Sequence, residues 1–141
     1  MRVKGLPSAR AMWWARRAAC QVRTDLDGGG LEELVVPPPP PLPRGCRRWV
    51  AAVLRSRGDT CLVRSAVLQA WDAAHGRPRD LIIGVTAPGE GFKAHAWLEG
   101  DPAEAFAGYT EVSRRVSPGA RSGGGSGHEL LDEPRKIGPR P

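Results

Sequence analysis

Five consecutive prolines, Pro37 to Pro41, followed by Leu42 and Pro43, constrain this chain more than any other segment. Proline fixes its own φ and lacks a backbone N–H, so the run excludes both helix and interior strand and must be extended. The run therefore divides the chain into an amino-terminal segment and a longer remainder. A rigid connector laid across a domain explains it better than a peptide ligand for an SH3-type module, because helical patterns flank it on both sides.

Before the connector, residues Ser8 to Thr24 place Trp13, Trp14, Ala18 and Val22 at helical spacing, with Arg10, Arg16, Arg17 and Arg23 between them. Asp27 to Gly30 is expected to end that helix. A basic helix bearing tryptophans packs on a core or touches an acidic partner or a membrane surface. After the connector, Arg44 to Arg57 repeats the helical pattern through Cys46, Trp49, Val50, Val53 and Leu54. Gly58-Asp59-Thr60 then links it to a second helix running to Ala74, with Asp59 or Thr60 supplying the N-cap oxygen.

The remainder changes period. Asp80 to Thr86 reads as a strand, Pro88-Gly89-Glu90-Gly91 as a turn, Phe92 to Glu99 as a second strand, and Phe106 to Val116 as a third. Helices first and an antiparallel sheet afterwards predict an α+β domain. We divide the chain into a domain over residues 1–116, with the amino-terminal helix and connector at 8–43 and a core at 44–116. A basic tail rich in Gly, Ser and Pro, expected to be disordered, covers 117–141.

With 141 residues the chain suffices for one modest core, and its net charge of +6 comes from arginines scattered along the sequence rather than grouped. We expect no nucleic-acid partner. No apolar run approaches the roughly 20 residues of a membrane span, and the amino terminus lacks a signal-peptide pattern, so the expected compartment is the cytoplasm. Three widely spaced cysteines, Cys20, Cys46 and Cys61, support neither a disulfide framework nor a zinc site. No metal or cofactor is expected. Cys20 and Cys46 read as buried filler.

Cys61 differs, because it falls in the first turn of its helix. Unpaired N–H groups and the positive end of a helix dipole favour thiolate over thiol at such a position. His95, on the second strand, is the candidate base, since a base that activates a thiol is commonly remote in sequence and near in space. For an acid to orient His95, a hairpin centred near residue 103 would set Glu111 opposite it. Asp101 is the alternative and Glu104 the third choice. Trp97, on the strand face of His95, fills core or walls the thiol site. Arg64 binds a substrate carbonyl or an internal carboxylate, or is solvated.

Thr60-Cys61-Leu62-Val63-Arg64-Ser65 with Leu68-Gln69 and His75-Gly76, then Leu81-Ile82-Ile83-Gly84-Val85, then Gly91-Phe92 and Ala94-His95-Ala96-Trp97-Leu98-Glu99, resemble the transglutaminase-like cysteine peptidases of lasso-peptide biosynthesis. The likeness covers residues 12 to 116. It implies a transglutaminase/papain-like cysteine peptidase core with amino-terminal helices packed on a small antiparallel sheet. The implied activity is removal of the leader from a ribosomally made precursor before macrolactam closure, with Cys61 and His95 as catalytic residues. The implied partners are the precursor's leader peptide, a separate leader-recognition protein and a cyclase resembling asparagine synthetase. In that family an acid follows the histidine by about a dozen residues, where this chain has Ala107 and Gly108. Two other readings stand beside this one: acyl transfer to an amine on the same fold, and a binding module without catalysis.

Overall fold

The computed structural model describes residues 6–87, 89 and 91–118. The expected disordered tail, apart from residues 117 and 118, and Pro88 and Glu90 of the expected turn lie outside the described residues. Helix α1 (Pro7–Gly28) opens with a proline in its first turn, where the missing N–H costs nothing, and runs through the stretch expected to end it as far as Gly28. Helix α2 (Arg47–Ser56) and helix α3 (Cys61–Ala74) follow the connector, and strands β1 (Leu81–Thr86), β2 (Ala94–Leu98) and β3 (Tyr109–Arg115) complete the domain. The three helices pack on one another, and α3 lies against β2 and β1. This is an α+β fold, as the change of period predicted.

The core joins the two layers. Ala11, Trp14, Ala15, Ala18 and Val22 of α1 face Val50 and Leu54 of α2 and Val63, Ala66, Val67 and Trp71 of α3, while Leu81, Ala96 and Leu98 close the sheet side. Trp14 and Trp71 meet with ring centroids 5.7 Å apart. Trp13 instead points outward, 60% exposed, and the Arg17 guanidinium lies over its ring. Cys46 is buried as expected, but Cys20 is exposed, because it lies on the solvent side of α1.

The connector is laid across the helices. The Trp14 indole N–H donates to the Pro37 carbonyl (3.1 Å), Leu42 is buried, and the His75 ring nitrogens lie 2.7 and 2.8 Å from the carbonyls of Trp71 and Leu42. An extended segment without internal hydrogen bonds is thus fixed by side chains of the helices it crosses. Two buried carboxylates hold the helices to their neighbours. Asp72 accepts from Arg47 and Arg79, and Asp59 accepts from Arg23 and Arg57.

The sheet order corrects the expected hairpin. The strands lie in the order β2-β1-β3, all antiparallel, so β2 and β3 do not pair. Gly84 of β1 faces His95 on one side and Glu111 on the other. The 3-10 turn Ala103–Phe106 carries the chain from one edge of the sheet to the other instead of closing a hairpin.

Candidate active site

Cys61 is placed by the turn before it. Gly58 has φ of +67°, a left-handed conformation that glycine adopts at little cost, and it ends α2. The Thr60 hydroxyl oxygen then accepts the Val63 N–H (3.3 Å), and the Thr60 carbonyl accepts the Arg64 N–H (3.0 Å). Thr60 is therefore the N-cap, and Cys61 is the first helical residue. The N–H groups of Cys61 and Leu62 have no partner inside the helix and point out of its end.

His95 is placed by register and by rings. Ser65 stands one helical turn after Cys61, on the same face of α3, and its hydroxyl donates to the Ala96 carbonyl (3.3 Å). That bond ties the helix to the strand at the residue next to His95. The imidazole stacks near Trp97 and Phe106, with centroids 6.1 and 5.8 Å away, and Tyr109 approaches at 5.5 Å. Trp97 and Phe106 themselves stack at 4.6 Å and 12°. Aromatic packing thereby limits how the imidazole can turn.

Cys61 and His95 open onto one cavity of about 220 Å3 between the start of α3 and the β2 edge. Leu54 and Leu68 form part of its apolar wall, and Trp97 and Phe106 close its aromatic side. Arg55, Arg64 and Asp101 contribute charge. Larger hollows lie along α1 and beside Arg114, but neither contains Cys61 or His95. Among the described residues, no three His, Cys, Asp or Glu side chains gather as metal ligands would.

The acids expected near His95 are distributed differently. Glu111 lies two strands away, roughly 10 Å at ordinary strand spacing, and the Trp97 ring fills the space over Gly84 between them. Both of its carboxylate oxygens accept from Arg114, whose guanidinium holds the Glu111 carboxyl below its ordinary range. Placing Glu111 opposite His95 required a β2–β3 pair, and β1 occupies that place. Glu104 is in the 3-10 turn and does not line the cavity.

Asp101 does line it, with one oxygen accepting from Arg79 (3.0 Å) and the other from the Leu98 N–H (3.1 Å). Both bonds fix the carboxylate at the end of β2. Sequence reasoning missed Ser65, although its spacing from Cys61 was a usable signal. It also missed Phe106 and Tyr109, for which no local pattern signals a contact with His95.

A thiol at a helix start, an imidazole on the adjacent strand and a shared cavity are an arrangement that thiol acyl-transfer chemistry can use. Comparison with curated proteins and with solved structures returned no match. The family described as the transglutaminase-like superfamily matches residues 6–118, which span every helix and strand described above. The chain belongs to the transglutaminase-like superfamily, and that membership suggests cysteine-peptidase or acyl-transfer chemistry.

Proposed function

We propose that this protein is a cysteine peptidase that removes the leader from a ribosomally made precursor of the lasso-peptide type. One observation carries the chemistry: Cys61 at the start of α3 and His95 on β2 open onto the same cavity within a transglutaminase-like domain. The sequence blocks around Cys61 and His95 carry the choice of substrate. His95 takes the Cys61 proton, the thiolate attacks the scissile carbonyl, and His95 returns the proton to the leaving amine. Water then hydrolyses the thioester. The Cys61 backbone N–H, unpaired at the helix end, is the candidate donor to the oxyanion.

Asp101 is the acid we assign to the site in place of Glu111. Held by Arg79 and the Leu98 N–H, its carboxylate is fixed at the wall of the cavity that His95 also lines. Orientation of the imidazole falls to Trp97, Phe106 and Tyr109. A leader-recognition protein presents the substrate, and an asparagine-synthetase-like cyclase consumes the product.

The test is the mass of the products when a lasso-type precursor is incubated with the protein and a leader-binding partner. Cleavage at one bond, abolished in Cys61→Ala and in His95→Ala, is the expected result. Adding a primary amine separates hydrolysis from acyl transfer, the reading that superfamily membership equally allows: an amide product in place of the acid would replace the peptidase with a transferase. Cleavage that persists without Cys61 would sink both.

A further inference from the structure

Five arginines of this domain are matched to carboxylates among the described residues. Arg23 and Arg57 hold Asp59, Arg47 and Arg79 hold Asp72, Arg79 also holds Asp101, and Arg114 holds Asp80, Glu99 and Glu111. Arg55, in the last turn of α2, and Arg64, in the first turn of α3, have no carboxylate partner among the described residues. Both line the cavity that contains Cys61. Among the described residues the one carboxylate in that cavity wall is that of Asp101, which is engaged by Arg79 and the Leu98 N–H.

Two arginines from different helices therefore line the cavity of the thiol without a carboxylate partner among the described residues. We propose that Arg55 and Arg64 form a carboxylate subsite beside Cys61, and that the peptide substrate fills it with an Asp or Glu side chain close to the scissile bond. A guanidinium presents paired N–H donors that match a carboxylate, and two of them attract an anion from solution before contact. The identity of the occupant rests on the peptidase reading. The charge of the subsite rests on the cavity alone.

The subsite is read without any substrate by alkylating Cys61 with iodoacetate, which carries a carboxylate, and with iodoacetamide, its neutral analogue. Peptide mass mapping gives the rate at Cys61, and exposed Cys20 serves as the internal reference. The expected ratio of iodoacetate to iodoacetamide rates falls roughly three- to tenfold at low salt in Arg55→Gln/Arg64→Gln, is kept in Arg55→Lys/Arg64→Lys, and shrinks as salt rises. An unchanged ratio in the Gln variant overturns the subsite. So does an equal fall in both rates, which would mean that the arginines serve a carbonyl or the fold.

A fixed-position peptide pool incubated with the protein and its leader-binding partner tests the occupant. Enrichment of Asp and Glu near the cleaved bond, lost in the Gln variant, supports it, and cleavage without such enrichment overturns it. A pool left uncut while the alkylation ratio behaves as expected would remove the peptidase reading and leave the anion subsite standing.

Discussion

Gly84→Ala is the substitution whose effect follows most directly from the geometry. A Cβ built on residue 84 would lie 2.6 and 2.8 Å from Cη2 and Cζ3 of Trp97, and 3.1 Å from the Thr110 carbonyl oxygen. Carbon atoms in contact settle about 3.5–4.0 Å apart, so the indole must retreat by about 1 Å. It cannot do so alone, because Trp97 stacks on Phe106 and both flank His95. The carbonyl belongs to the paired strand β3 and yields less readily. Overpacking of this kind costs about 1–3 kcal/mol. For a domain of this size that is a fall in Tm of roughly 4–12 °C.

Thermal unfolding followed by circular dichroism measures it. In the double variant Gly84→Ala/Trp97→Ala the added methyl should cost less than it does in the wild type, since only the 3.1 Å approach to the Thr110 carbonyl then remains. A Tm unchanged by Gly84→Ala, or effects of the two substitutions that simply add, would refute the argument.

Other consequences are as definite. Asp72→Ala leaves Arg47 and Arg79 without their shared carboxylate and should destabilise the domain by about 3 kcal/mol, measured by urea unfolding. Ser65→Ala removes the bond that ties α3 to β2 beside His95. It should cost about 1 kcal/mol in stability while lowering kcat/KM for precursor cleavage by a larger factor than that loss implies. The Glu111 carboxyl is held below its ordinary range by Arg114, so its contribution is present above its unfolded-state pKa and is lost as pH falls through its folded-state value. The Tm difference between wild type and Glu111→Gln should therefore be seen near neutrality and vanish under strongly acidic conditions.

Much of the fold was legible because it depends on local signals. The proline run excluded two conformations outright, the 3.6-residue spacing from Leu62 to Trp71 marked α3, and its N-terminus was announced by Asp59 or Thr60, of which Thr60 is the cap. The end of α1 was misplaced, since Asp27 and Gly28, read with Gly29 and Gly30 as its stop, continue the helix. Sheet order was misread for a different reason. Nothing in the spacing of β2 and β3 tells that β1 lies between them, and a short loop between consecutive strands favours the hairpin that did not form.

The candidate site divided along the same line. Cys61 and His95 were legible because each belongs to a distinctive segment. Glu111 was set first and Asp101 only as the alternative because Glu111 assumed a β2–β3 pair, whereas Asp101 is the one of the two that lines the cavity. The aromatic surroundings of His95 were hidden for the same reason, since Phe106 and Tyr109 reach it only after the chain has crossed the sheet. Exposure of Cys20 is a question of helix phase. Trp13 and Trp14, side by side, left open which of them faces the core.

The central claim is that Cys61 and His95 form one reactive pair, and the most direct test is the alkylation rate of Cys61 by iodoacetamide at neutral pH in wild type and in His95→Ala. With Cys20 as reference in the same sample, the account predicts that loss of the imidazole slows Cys61 by about tenfold or more and leaves Cys20 unchanged. Equal rates at Cys61 in the two proteins would contradict it.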